Sequence, residues 1–147
     1  MKTFTLVLVS ALIYSGLLTV HLAHGDLVQA IVTRTNSCIN CGMTAGELSV
    51  KVCGNLGCCF SPELDNDNIN FLPGSTDSFR GPTILGECDE YQIGDRNGGP
   101  IRVTLIHSGT DGLQLDSVDI ETDERVVTCL VNGQELDGDD WSQFYCD

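Results

Sequence analysis

The sequence predicts an all-β fold, an antiparallel β-sandwich of two roughly four-stranded sheets that is stapled by disulfides. Several runs alternate apolar and polar residues, which is the pattern of a half-buried strand. Turns rich in Gly, Asn and Asp separate these runs, and no segment keeps a helical period over three turns. Short strands spaced in this way favour a sandwich over a helical or mixed fold.

Five runs carry the strand signal. Residues 27–35 are rich in β-branched side chains, and residues 47–53 alternate, so that Leu48, Val50 and Val52 face one side. The other three runs cover residues 100–107, 113–120 and 125–131. Each run is bounded by turn-forming residues, so each is predicted as a separate strand.

The segments between these strands are less regular. Residues 54–70 hold the longest stretch of turn chemistry, and residues 82–93 predict one or two further short strands. Asn132-Gly133 is a pair that favours a tight hairpin. We assign no element to the tail over 134–147.

The first residues have the composition of a targeting segment. A basic start, an uncharged apolar run over 4–20 and small residues before position 26 are the parts of a secretory signal peptide. We predict a signal peptide over 1–25 and a single domain over 26–147, with a cut after Ala23 as the alternative. A membrane-anchoring helix is the competing interpretation. The prediction is a secreted, extracellular protein without a transmembrane span.

The chain has eight cysteines, an even number, and an oxidising compartment makes four disulfides the expected state. The cysteines are Cys38, Cys41, Cys53, Cys58, Cys59, Cys88, Cys129 and Cys146. The Cys-x-x-Cys spacing of the first two also fits a metal ligand pair or a redox pair. No second such pair follows, and the disulfide connectivity stays open.

Charge and motif content exclude several functions. With 21 Asp+Glu against 7 Lys+Arg, the formal charge is −14, which opposes charge-driven binding of nucleic acid. His107 is the only histidine after position 25, and we expect it at a strand-end surface position. No Gly-x-Ser-x-Gly motif is present, so a serine triad is not indicated. We therefore predict no enzymatic activity.

Two acidic clusters are candidates for weak calcium binding in extracellular fluid. Asp65 and Asp67 begin an Asp/Asn run, but Asn and Thr stand where an EF-hand needs its Gly and its final acid. Asp137 and Asp139 form the second cluster. The alternative is that both are solvated acidic turns. No other cofactor is predicted.

The order of several motifs resembles the PLAT domain family. A first strand, a Gly/Thr loop and a strand ending in Gly correspond to Thr33 through Gly54. A Gly-x-x-Asp-x-Phe step is present at Gly74–Phe79, a Leu-Gly pair at Leu85-Gly86, and Leu-Asp-Ser-Val at Leu115–Val118. The resemblance covers most of the chain after position 25 and implies a sandwich of two four-stranded sheets.

The sequence also departs from the family pattern. Leu113 stands where a Trp usually precedes the Leu-Asp-Ser-Val step, and the run Thr44–Glu47 lacks the Asp of the family's Thr-Asp-Ala loop. The resemblance therefore does not imply calcium at that loop. The cysteine-rich loops are not a general family feature, so a stand-alone, stapled relative is implied.

PLAT relatives often engage lipid through apolar loop tips. This implies four candidate contacts with a lipid surface or an extracellular protein partner: Phe60, Phe71, Leu72 and Trp141. Trp141 could instead close the core. We expect Asp77 and Asp116 to orient turns through hydrogen bonds to the backbone.

The sequence-based hypothesis is a secreted, non-catalytic binding module that recognises a protein or a lipid-associated partner. One alternative is a venom or secretory-gland component, toxin-like in acting on another organism's targets. Another is an acidic, calcium-binding protein of the extracellular matrix.

Overall fold

A computed structural model of the chain describes residues 25–42, 45–95 and 98–147. The predicted signal peptide lies outside the described residues except for Gly25. Among the described residues there is no helix with the length and apolarity that a bilayer crossing requires.

The regular secondary structure of the described residues is almost entirely antiparallel β, which confirms the predicted class. The strands are β1 (Val28–Thr35), β2 (Glu47–Cys53), β3 (Cys58–Ser61), β4 (Thr76–Arg80), β5 (Ile101–Ser108), β6 (Leu113–Thr122), β7 (Val126–Leu130), β8 (Glu135–Leu136) and β9 (Asp140–Cys146). One short helix, α1 (Pro82–Leu85), runs into a 3-10 turn over Gly86–Asp89.

The strands form one curled sheet in the order β3-β2-β5-β9-β7-β6-β1-β4, and β8 pairs with β6. We call β3, β2, β5 and β9 the first half-sheet, and β7, β6, β1 and β4 the second half-sheet. The halves meet between β7 and β9, where Cys129 is the single residue paired with Cys146. The prediction of two four-stranded sheets is therefore confirmed only in part, because the two sets of four strands are continuous.

The core is built from the alternating apolar faces of both half-sheets. Val50, Val103 and Leu105 come from the first half-sheet, and Ile31 and Ile120 come from the second; all are buried in one cluster. The apolar faces of the two half-sheets pack against each other in a single interior. Separating the half-sheets would therefore expose both apolar faces to water.

All eight cysteines are paired, which confirms four disulfides and leaves no free thiol for a metal or a redox reaction. The pairs are Cys38–Cys41, Cys53–Cys58, Cys59–Cys88 and Cys129–Cys146. The last of these joins the half-sheets at their single paired position.

The segment over 82–93 does not form the predicted strands. Pro82 occupies the first turn of α1, where its fixed φ and missing N–H suit a helix start. The buried Cys88 follows in the 3-10 turn and is tied to β3 through Cys59. The segment therefore forms a short helical cap, whose two turns bury Leu85 and Cys88.

Asn132-Gly133 forms the predicted turn but not the predicted hairpin. Both residues have positive φ, 57° and 70°, and Gln134 N donates to Val131 O at 3.3 Å. The flanking strands β7 and β8 each pair with β6 instead of with each other. The turn therefore joins two strands that both pair with β6, at different positions along it.

His107 is buried, so the expected surface position is wrong. It has the same strand parity as Val103 and Leu105 and faces the core with them. Its Nδ1 lies 2.7 Å from Gly138 O, and because a carbonyl only accepts, the imidazole donates this hydrogen bond. His107 thus fastens β5 to the loop before β9.

Candidate functional site

One end of the sheet gathers most of the long loops. The antiparallel register places Glu47 at the start of β2 opposite Ser108 at the end of β5, and Arg34 near the end of β1 opposite Thr76 at the start of β4. The connections at these strand ends therefore project from the same side of the fold. We call them the loop end, and its described residues are 36–42, 45–46, 62–75, 109–112 and 137–139.

Hydrogen bonds tie the β1–β2 connection to its neighbours. Asn36 Nδ2 donates to Asp116 Oδ1 at 2.8 Å, and Asn36 Oδ1 accepts from Cys38 N at 3.0 Å. Gly74 N donates to Asn36 O at 3.1 Å, which connects this loop to the one before β4. The Cys38–Cys41 disulfide closes the loop further. Asp116 thus orients a loop, as expected, although its carboxylate accepts from a side chain and not from the backbone.

Asp77 orders the loop before β4 from the inside. It is buried, and its Oδ2 accepts hydrogen bonds from Phe71 N at 2.9 Å and Ser75 Oγ at 2.7 Å. Phe71 has a φ of 58°, which is uncommon for a bulky residue and needs such support. The expectation that Asp77 orients a turn is confirmed.

We expect Asp77→Ala to lower the free energy of unfolding by about 1–3 kcal/mol, because it leaves a buried amide unsatisfied. Chemical denaturation measures this loss. Asp116→Ala is the matched control, because Asp116 is exposed and its removal leaves its partner open to water. Equal losses for the two variants would contradict the role given to Asp77.

Phe71 is not a loop tip, so this predicted lipid contact is wrong. Only 3% of it is exposed, and its ring stacks on Phe79 with centroids 5.6 Å apart. Its left-handed backbone turns the ring inward, so that the next residue, Leu72, points out and is 44% exposed. Of this adjacent pair, only Leu72 is available for contact.

Two further aliphatic side chains are exposed at the loop end and were missed by the sequence analysis. Ile39 is 93% exposed and Ile69 is 77% exposed. Ile39 lies between the two cysteines of a closed four-residue loop, and Ile69 lies within an Asp/Asn run. Each is a lone aliphatic residue in an otherwise polar turn, where no strand can bury it. This pattern is the sequence signal that could have identified both as exposed. We call Ile39, Ile69 and Leu72 the apolar tips.

Two cavities lie between the tips. One, of about 330 Å³, is lined on its polar side by Glu47, Glu63 and Asp65 and also touches Ile69 and Leu72. The other, of about 350 Å³, is lined by Ile39, Asn40, Gly42, Phe71, Leu72, Pro73 and Asp111. The loop end therefore combines aliphatic tips with recessed, partly acidic surfaces.

The acidic residues named for calcium all lie at the loop end. Asp65 Oδ1 accepts from Asp67 N at 3.1 Å and from Asn70 Nδ2 at 3.0 Å, which is an Asx turn. Asp137 and Asp139 are exposed in the loop before β9. Within residues 25–42, 45–95 and 98–147, no three His, Cys, Asp or Glu side chains are grouped to hold a metal ion.

Phe60 and Trp141 do not lie at the loop end. Both are exposed, but they project from strands β3 and β9 on the outer face of the first half-sheet. The four predicted contacts therefore divide into one loop tip, one core residue and two residues of a sheet face. Trp141 does not close the core.

We compared the chain with protein families, with curated sequences and with solved structures, and only solved structures match it. No protein-family model matches the chain, and no curated protein sequence matches it. Among solved structures, a lipoxygenase in complex with arachidonate is similar over 82% of this chain, with a TM-score of 0.61 and 16% identity. Coral 8R-lipoxygenase, described as activated by calcium via a C2-like domain, matches over 81% with a TM-score of 0.60 and 13% identity. Clostridium perfringens alpha-toxin matches over 85% with a TM-score of 0.56 and 14% identity.

These matches cover a small part of the other proteins. The chain spans 16% and 17% of the two lipoxygenase chains and 32% of the alpha-toxin chain. One of these proteins is described as having a C2-like domain, and the likeness is consistent with the PLAT-like fold that the motifs implied. At such low identity it gives the fold alone.

Proposed function

We propose that this chain is a secreted, non-catalytic module of the PLAT family that attaches to a lipid surface through its loop end. The observation that carries the proposal is the exposure of three aliphatic tips, Ile39, Ile69 and Leu72, on one end of a rigid sheet. Four disulfides suit an extracellular protein. Solved structures of similar fold, one of them described as having a C2-like domain, support this architecture.

The tips are suited to a bilayer interface. Fully burying an Ile or Leu side chain yields about 1.5–3 kcal/mol, so three tips together support measurable binding. The loops that carry them are fixed by Cys38–Cys41 and by Asp77, so little conformational entropy is lost on contact. Lipid attachment through these tips needs no catalytic group.

The surrounding charge selects the kind of lipid. Asp65, Asp67, Asp137 and Asp139 lie at the same end, and the chain carries a formal charge of −14. Anionic headgroups would therefore be repelled, and zwitterionic headgroups are favoured. Because no three carboxylates of the described residues are grouped to hold a metal ion, we expect calcium to strengthen binding only by screening them, without being required.

Vesicle co-sedimentation of residues 26–147 with phosphatidylcholine tests the proposal. We expect binding in chelator, and we expect the double variant Ile39→Ser/Ile69→Ser to bind at least about tenfold more weakly, because two buried aliphatic groups are lost. Val126→Ser/Leu130→Ser is the matched control, because it removes two similarly exposed aliphatic side chains from β7.

Two results would contradict the proposal. One is an absence of binding in both chelator and millimolar calcium. The other is an equal loss of binding in the tip variant and the β7 variant, which would mean that general hydrophobicity and not the loop end makes the contact. Binding that required calcium would keep the lipid contact but overturn the screening role.

A further inference from the structure

The outer face of the first half-sheet is aromatic and cationic. Strand register places Tyr145 opposite Arg102, and Trp141 opposite Ile106. Lys51 is opposite Phe60 on one side and Thr104 on the other. We call this surface the aromatic-cationic face. Its central side chains are those of Ser49, Lys51, Phe60, Arg102, Thr104, Ile106, Trp141, Gln143 and Tyr145, and the pairs Glu47–Ser108 and Cys53–Cys58 border them.

Its aromatic side chains lie open to solvent. Trp141 is 65% exposed and Tyr145 is 67% exposed. They are four residues apart on β9, so their Cα atoms are separated by about 13 Å at the usual strand rise. Gln143 projects from the same side between them. The strand therefore presents an aromatic, an amide and an aromatic group in a line.

The charges of this face are opposite to those of the chain as a whole. The side chains of Lys51 and Arg102 form no ion pair or hydrogen bond within the described part of the chain, although those of Arg34, Arg80 and Arg125 all pair with carboxylates. Glu47, which pairs with Ser108 at the edge next to the loop end, is the one acidic strand residue that borders these nine positions, in a chain that has 21 Asp+Glu. Lys51 is four residues from Glu47 along β2, about 13 Å at the usual strand rise, so the two unpaired cations form a local positive surface away from that edge.

We propose that the aromatic-cationic face binds a sulfated, uronate-bearing polysaccharide chain. The flat C–H faces of pyranose rings stack on the exposed indole and phenol rings. Sulfate and carboxylate groups pair with Arg102, whose planar guanidinium suits two-oxygen anions, and with Lys51. Gln143 and Thr104 are placed to hydrogen-bond sugar hydroxyls between the rings.

Two other occupants fit the face less well. A second copy of this chain in a two-fold arrangement would bring the unpaired cations of the two copies together, with no anionic group of the face to pair with them. An acidic peptide would dock best on a sheet edge or in a groove with side-chain pockets, and this is an open sheet face.

The acidic loop end does not prevent a polyanion from binding to this face. At physiological ionic strength, salt screens the repulsion between charges that are more than about 8 Å apart.

The test is isothermal titration of residues 26–147 with a heparin-derived octasaccharide. We expect binding at physiological salt that weakens as salt is raised, because ion pairs are screened. Lys51→Gln/Arg102→Gln should weaken binding at least about tenfold, and Trp141→Ala should weaken it to a similar extent. Thermal melts check that each variant is folded.

Matched controls separate the face from general charge and aromatic content. Arg34→Gln/Arg80→Gln changes the net charge by the same amount on the second half-sheet, and Tyr91→Ala removes an exposed aromatic side chain elsewhere. Both should bind the octasaccharide like the unmodified chain. Equal weakening in the control and face variants would overturn the proposal, and so would an absence of binding.

Two further arms distinguish the ligand class. Neutral dextran should not compete, whereas dextran sulfate should. A poly-glutamate peptide that bound as tightly as the octasaccharide would overturn the glycan assignment in favour of an acidic protein segment. The inference does not depend on the lipid contact, because the apolar tip variant Ile39→Ser/Ile69→Ser should retain full octasaccharide binding.

Discussion

Arg125→Met should lower the free energy of unfolding by about 3–5 kcal/mol, because it leaves a buried carboxylate without its partner. The Asp26 side chain is only 2% exposed. Arg125 donates to it twice, from Nη2 at 2.6 Å and from Nε at 3.0 Å. A two-pronged pair of this kind depends on both members being present.

The cost is increased because Arg125 also holds other backbone groups. It donates to Gly98 O at 3.1 Å and Gly99 O at 2.7 Å, which fixes the segment leading into β5. Thr122 Oγ1 donates to Asp26 Oδ1 at 3.0 Å from the end of β6. One guanidinium therefore connects the start of the described chain, the β6–β7 turn and the approach to β5.

Arg34→Met is the control for this measurement. Arg34 pairs with Asp119 at 3.4 Å from an exposed position, so its removal should cost less than about 1 kcal/mol. Urea denaturation of both variants gives the comparison. Equal losses would show that the Asp26–Arg125 pair is not the stronger one. A double-mutant cycle with Asp26→Asn should return a positive coupling energy.

The double variant Cys59→Ala/Cys88→Ala should lose about 3–4 kcal/mol of stability, because the disulfide closes a long loop in the unfolded chain. The two cysteines are 29 residues apart and both are buried, so two small cavities add to the cost. This bond also holds the helical cap of α1 and the 3-10 turn against β3.

The Cys38–Cys41 pair provides an internal comparison. It closes a separation of only three residues, so the same chain-entropy relation gives about 2 kcal/mol for its removal. Denaturation without reductant should therefore rank Cys59→Ala/Cys88→Ala below Cys38→Ala/Cys41→Ala in stability. The reverse order would mean that loop length does not govern the stabilisation.

The strands that sequence predicted best are those with one buried face. Residues 47–53 and 100–107 alternate cleanly, and both became strands within a residue of the predicted bounds. Strand β9 escaped prediction because its apolar side chains occupy both faces, with Trp141 and Tyr145 outward and Phe144 inward. Alternation of apolar and polar residues cannot be recognised in a strand whose exposed face also carries aromatic side chains.

The candidate site was less predictable than the strands. Phe71 and Leu72 are adjacent apolar residues in a loop, and only the left-handed backbone and the Asp77 carboxylate decide which one is buried. Likewise, the gathering of the four loops depends on strand register, which brings together segments far apart in the sequence. Local patterns contain neither kind of information.

The junction between the half-sheets has a mechanical consequence. Strands β7 and β9 share one paired position, Cys129 with Cys146, and two hydrogen bonds between Thr128 and Asp147. The disulfide at that position carries tension across the junction through a covalent bond. The few hydrogen bonds between β7 and β9 would otherwise carry that tension and would break under it. In reducing conditions, this junction is where the two half-sheets would separate first.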